Sequence, residues 1–130
     1  MTASELGVGS IGRADKTVWA QDLAQQVGSG DLPVLATPIM AALMEEAAVC
    51  CVRQALDPNT TSVGIKLDIS HLAATPKGKS VQAQAELLEV KGKKLVFAVQ
   101  AWDEAELIGQ GTHERVIVDR QAFMDRVEDK

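Results

Sequence analysis

Glu45 and His71 are the two residues whose types and surroundings best suit chemistry. With Thr37 at zero on a helical wheel and roughly 100° per residue, Ala41, Glu45, Val49, Val52 and Leu56 fall in one sector with it. Glu45 alone is charged there. Its neighbour Glu46 lies on another face, nearly in line with Arg53, where a solvated ion pair is the ordinary explanation. A carboxylate in an apolar sector is costly unless partnered, and such groups serve acid–base chemistry as well as structure. Downstream, Val63, Ile65, Leu67 and Ile69 alternate with Lys66, Asp68 and Ser70, and His71 falls on the apolar side. A lone inward His is ordinarily a satisfied core residue. Beside an inward Glu it becomes the second of two proton carriers aimed at one interior.

Thr37 and Gly64 join them more weakly. A Thr at a helix start is explained by capping alone, yet that end of a helix also offers free N–H groups and a positive dipole to a carbonyl oxygen. Gly64, placed by the alternation on the strand face opposite His71, allows close backbone approach to a ligand or marks a bulge. His113, within Gly111-Thr112-His113-Glu114-Arg115, belongs either to a subunit contact or to a solvated sheet face. No nucleophile elbow, P-loop, dinucleotide glycine fingerprint or metal-ligand cluster is present, so acid–base or carboxylate-assisted chemistry without a cofactor or metal is expected.

The elements that must carry these residues are legible. Thr37-Pro38 starts a helix and Asp57-Pro58-Asn59 stops it, with Ala, Leu, Met and Glu between. Before it come a strand over about Ile11 to Trp19 and a helical turn over Gln21 to Asp31. After it the pattern alternates through four strands: about Ser62 to Ala73, Ser80 to Val90, Lys94 to Asp103 and Glu106 to Val118. Lys91-Gly92-Lys93 and Asp103-Glu104-Ala105 join the last three as antiparallel hairpins, and a short helix over Arg120 to Glu128 follows. One long helix and an antiparallel meander make an α+β architecture, with the sheet laid across the helix and residues 1–130 forming one domain.

Composition narrows the function. Aromatics are 3% of the chain, Trp19, Phe97, Trp102 and Phe123, against 46% hydrophobic residues, so the core must be aliphatic. Thirteen basic and eighteen acidic residues give a net charge of −5, and with so few rings this argues against nucleic acid as a partner. Met1 to Gly12 show no leader pattern and no apolar run spans a bilayer, so a cytoplasmic protein with no membrane partner is expected. Cys50 and Cys51, adjacent in the helix, read as buried reduced thiols.

The segments LATPIMAALMEEA, SVGIKLDISHLAATPKG and IGQGTHERVIV resemble the fluoroacetyl-CoA thioesterase branch of the hotdog-fold thioesterases, in order from Pro33 to Val118. The resemblance implies a hotdog fold, a curved antiparallel sheet around a long central helix, and a homodimer or higher oligomer with active sites at the subunit interface. It implies Thr37, Glu45 and His71 as the catalytic set, and Gly64 and Pro38 as substrate-binding positions. The reaction it implies is hydrolysis of an acyl-CoA thioester, with Glu45 attacking the carbonyl or activating water, His71 moving protons, and Thr37 orienting the carboxylate or acting as nucleophile. Val27 to Leu35, leading into the helix, hold Leu32, Val34 and Leu35 but no aromatic ring, which argues for a small to medium aliphatic acyl group. The competing readings are a hotdog acyl-thioester hydratase or dehydratase, and a non-catalytic acyl-CoA binding module.

Overall fold

A computed structural model describes residues 6–130; the part of the Met1 to Gly12 reading that falls on residues 1–5 lies outside them. Strand β1 (Ile11–Thr17) is followed by a 3-10 turn (Ala20–Asp22) and a four-residue helix α1 (Ala24–Val27). Helix α2 (Thr37–Val52) comes next, then a second 3-10 turn (Arg53–Ala55). Strands β2 (Thr60–His71), β3 (Ser80–Lys91), β4 (Lys94–Trp102) and β5 (Leu107–Asp119) follow, and helix α3 (Arg120–Glu128) ends the chain. All five strands form one antiparallel sheet in the order β1-β3-β4-β5-β2, so β2 is an edge strand. Among the described residues no helix is long and apolar enough to cross a membrane.

Helix α2 lies against the concave face, mostly over β1 and β3. Its buried side is Met40, Leu43, Met44, Ala47, Ala48 and Val52, which meet Ala83, Ala85, Leu87, Phe97 and Val99 from the sheet. Small residues let helix and sheet approach closely, most of all at Gly12 of β1, where a Cβ would collide with the Ala47 carbonyl oxygen and the Cys51 backbone. The core is aliphatic, as the composition requires, with Phe97 its one fully buried aromatic ring among the described residues.

Three local expectations are corrected. The N-cap of α2 is Ala36 and Thr37 is its first helical residue, so the Thr37 hydroxyl caps nothing. Cys50 is exposed, while Cys51 is half-buried against the edge of the core, its thiol donating to the Ser10 carbonyl 3.2 Å away. Glu46 and Arg53 are both exposed and form no ion pair within 4 Å.

The strand face was also misread by simple alternation. The register between β2 and β5 runs Gly64↔Arg115 and then Lys66↔Glu114, so Ile65 is an extra residue, a β-bulge. The bulge reverses the parity of the strand. Ser62 and Gly64 face α2 before it, and Leu67, Ile69 and His71 face α2 after it, while Ile65 is 53% exposed. Gly64 and His71 therefore share a face rather than standing on opposite ones.

Candidate active site

The Thr37 hydroxyl and His71 Nδ1 lie 2.7 Å apart, joining the first residue of α2 to the last of β2. The surrounding loops fix this meeting. Buried Thr75 accepts the Leu35 N–H at its carbonyl, and its hydroxyl donates to Asp103 Oδ2 at 2.8 Å, tying the chain after β2 to the chain before α2. The other carboxylate oxygen of Asp103 accepts from the Ala105 and Glu106 amides, and these bonds hold its carboxyl below the usual range although burial acts the other way. On the opposite side, the carbonyl of Asp22 accepts from the Ala36 amide. The buried carboxylate of Asp22 takes Lys16 Nζ at 2.6 Å and the Trp19 amide at 2.8 Å.

Burial pushes the His71 imidazole below its ordinary value, and the nearby Ala73 backbone opposes this. Nε2 of His71 is buried and makes no hydrogen bond. A hydroxyl within hydrogen-bond distance of an imidazole nitrogen whose neutral form burial favours is an arrangement able to serve as nucleophile and base. Thr37 and His71 border an open cavity of about 440 Å³ whose other walls include Ala24, Asp31, Val34, Leu35 and Leu72 to Ala74. None of its lining residues is aromatic. Pro38 is exposed at the second helical position and does not line this cavity. Lacking an N–H, it has no bond to give a carbonyl oxygen.

Glu45 stands apart from this pair. Its side chain is 41% exposed, on the flank of α2 that faces β2, and not in the core. Eight residues of helix separate it from Thr37, about 12 Å along the axis. Oε1 of Glu45 lies 3.4 Å from Arg115 Nη1 and 3.7 Å from His113 Nε2. A Cβ on Gly64 would stand 2.7 Å from the same oxygen, so the glycine leaves room for the carboxylate. Arg115 is buried, its Nε donating to Ser62 Oγ at 2.8 Å and its Nη2 to the Ser62 carbonyl at 2.9 Å. Desolvation lowers the Arg115 pKa and Glu45 opposes that. His113 is neither at a solvated face nor exposed for a partner. It is 1% exposed and stacked on Phe97 with ring centroids 6.1 Å apart.

The chain thus carries two polar clusters, Thr37 with His71 and Glu45 with Gly64, Arg115 and His113. The signal for Arg115 was present in the sequence but ambiguous, since it shares parity with His113 and Ile117 while Val116 and Val118 make the other face equally apolar. Among the described residues no group of three His, Cys, Asp or Glu side chains is placed to hold a metal ion.

The model of the family described as fluoroacetyl-CoA-specific thioesterase matches residues 18–121. The fluoroacetyl-CoA thioesterase of Streptantibioticus cattleyicolor is 40% identical over 97 residues, 75% of this chain and 70% of that protein. A solved structure of the fluoroacetyl-CoA thioesterase FlK is 34% identical and superposes with a TM-score of 0.89 over 95% of this chain and 96% of that one. A thioesterase superfamily member from Thermus thermophilus is 25% identical with a TM-score of 0.86, over 95% of this chain and 94% of its own. A helix cradled by one curved antiparallel sheet, matched over nearly its whole length, leads to one conclusion: the chain belongs to the fluoroacetyl-CoA-specific thioesterase family and is an acyl-CoA thioesterase of hotdog fold.

Proposed function

We propose that the protein hydrolyses small to medium aliphatic acyl-CoA thioesters to the carboxylic acid and CoA, without a cofactor, as a homodimer with composite active sites. The observation that carries this reading is the 2.7 Å contact of Thr37 with His71 at the edge of a small cavity walled by Val34, Leu35 and Ala73. Solved structures of FlK variants in complex with acetyl-CoA, and with fluoroacetate and CoA, support a ligand of this kind. Thr37 Oγ1 adds to the thioester carbonyl while His71 Nδ1 takes its proton, and the tetrahedral intermediate expels CoA thiolate, to which His71 returns the proton. Water then attacks the acyl-threonine carbonyl, giving a proton to Glu45; the bond from the carbonyl carbon to Thr37 Oγ1 breaks, the acid leaves, and the proton on Glu45 passes to Thr37 Oγ1, restoring both groups. Gly64 and the N-terminal end of α2 polarise the carbonyl. A cytoplasmic location goes with such a substrate, since its phosphates oppose passage through a bilayer.

The second subunit answers the separation of the two clusters. Strand β2 is an edge strand whose outer backbone is unpaired in one chain, with His71 at its end and Gly64 seven residues before it. A two-fold axis between Leu67 and Asp68 of β2 pairs it antiparallel with its copy and sets His71 of each protomer beside Gly64 of the other. Thr37 and His71 of one chain then face Glu45 of its partner.

A thiol-release assay over short, branched and aromatic acyl-CoAs tests the activity. Free CoA from short aliphatic substrates, lost about 10²–10⁴-fold in Thr37→Ala or His71→Ala, is expected. A change in enoyl absorbance without thiol release would instead show a hydratase. Heat protection by acyl-CoA without its consumption would show a binding module.

A further inference from the structure

His113 takes no part in the reaction just described, yet it is among the most deeply buried polar residues of the chain. Its Nδ1 lies 2.8 Å from the Lys66 carbonyl oxygen, which can only accept, so Nδ1 carries the ring hydrogen. The neutral imidazole then presents a bare lone pair at Nε2. That lone pair lies 3.1 Å from Nη1 of Arg115, a group that can only donate. Burial holds the ring below its ordinary value and Arg115 adds to this, while the Lys66 carbonyl, Glu45 and Glu114 act in the opposite direction.

Arg115 is therefore held on three sides. Ser62 takes Nε and Nη2 through its hydroxyl and carbonyl, and His113 takes one hydrogen of Nη1, leaving the second to point at Glu45 Oε1, 3.4 Å away. Glu45 and Nε2 of His113 are 3.7 Å apart, but both are acceptors, so they meet only through the guanidinium between them. Without that clamp a half-exposed glutamate has several rotamers open to water, and a catalytic group misplaced by about 1 Å can cost 10²-fold in rate.

We propose that His113 is a positioning residue for the reaction: as a neutral acceptor it fixes the Arg115 guanidinium, and Arg115 in turn holds the Glu45 carboxylate over Gly64. A proton on Nε2 undoes this arrangement. The ring would then face the guanidinium as a second cation and draw Glu45 to itself as a donor. The charged groups facing the ring are Glu45 from α2 and Arg115 from β5; beside it on β5 is Glu114. From β2 it meets the Lys66 carbonyl and from β4 Phe97.

The role assigned to Glu45 rests on the thioesterase reading, and the tests separate the two. His113→Phe keeps a ring against Phe97 and removes the acceptor; kcat is expected to fall about 10- to 100-fold with KM little changed, on the scale of a misplaced catalytic group. His113→Gln restores a carbonyl oxygen toward Arg115 and is expected to keep most of the rate; a loss as large as that of the Phe variant overturns the acceptor role. Nitrogen NMR of the imidazole in the wild-type protein reads the same claim without turnover. The Nδ1–H tautomer is expected, with a titration that moves to lower pH in Glu45→Gln. An Nε2–H tautomer, or a titration indifferent to Glu45, overturns the proposal whatever the enzyme hydrolyses. Failure of Thr37→Ala to reduce thiol release overturns the thioesterase mechanism and leaves the His113 geometry standing.

Discussion

In the proposed reaction the chemistry turns on one proton between Thr37 and His71, whose side chains lie 2.7 Å apart. Because burial lowers the His71 pKa, its base form persists to pH values where a free imidazole is already charged. The acid limb of kcat/KM for a short acyl-CoA is expected below about pH 6.5, the ordinary imidazole value. A limb above that value would mean that a different group accepts the proton. Glu45 and His71 stood out in the sequence as polar residues within apolar runs, and Thr37 as the residue that opens a helix. Arg115 did not, since Thr112 to Val118 place polar residues on both faces and then apolar residues on both, which leaves parity undecided. His113 was noticed but misplaced for the same reason.

At the scale of elements the bulge at Ile65 is decisive, because it turns Gly64 and His71 to one side of β2. A single strand pattern does not show such an insertion; it emerges only from pairing with β5. Gly64 then has a specific purpose that stability and activity measurements together can reveal. In Gly64→Ala the new Cβ would press on Glu45 Oε1 from 2.7 Å, and the end of a half-exposed side chain can move aside. Thermal stability close to wild type with a clear loss of kcat is expected, while unaltered turnover would separate Gly64 from the site. Gly12→Ala is the contrasting case, since its Cβ would meet the backbone of α2 at Ala47 and Cys51, which cannot give way without moving the helix. A loss of about 1–3 kcal/mol, seen in chemical denaturation, is the usual scale of such overpacking. Helix α3 matched its reading, Arg120 to Glu128, and α2 ended earlier than Asp57-Pro58 suggested because a 3-10 turn completes that segment.

At the scale of the whole molecule, two clusters about 12 Å apart on one helix make a test of the composite site possible. Thr37→Ala and Glu45→Ala proteins are each expected to be inactive, yet mixing them after mild dissociation should restore activity. Half of a random mixture is mixed dimers, and one of the two sites in each is intact, so roughly a quarter of the wild-type rate should return. No recovery, in a mixture shown by mass spectrometry to contain mixed dimers, would place the whole site in one chain. The α+β arrangement, five strands and their hairpins were readable from Gly, Pro and the change of period, because short antiparallel connections leave few other topologies. The residue pattern by itself is silent on assembly, since nothing in it distinguishes a solvated edge strand from a paired one, and the expectation of a dimer came from the family resemblance alone.

The unpaired edge of β2 carries a further consequence, one of mass action. If catalysis needs two copies of that edge, the catalyst is a population of dimers, and its specific activity falls on dilution through their dissociation constant. A substrate spanning both chains then acts as a linking ligand, holding dimers together at concentrations where the free protein has come apart.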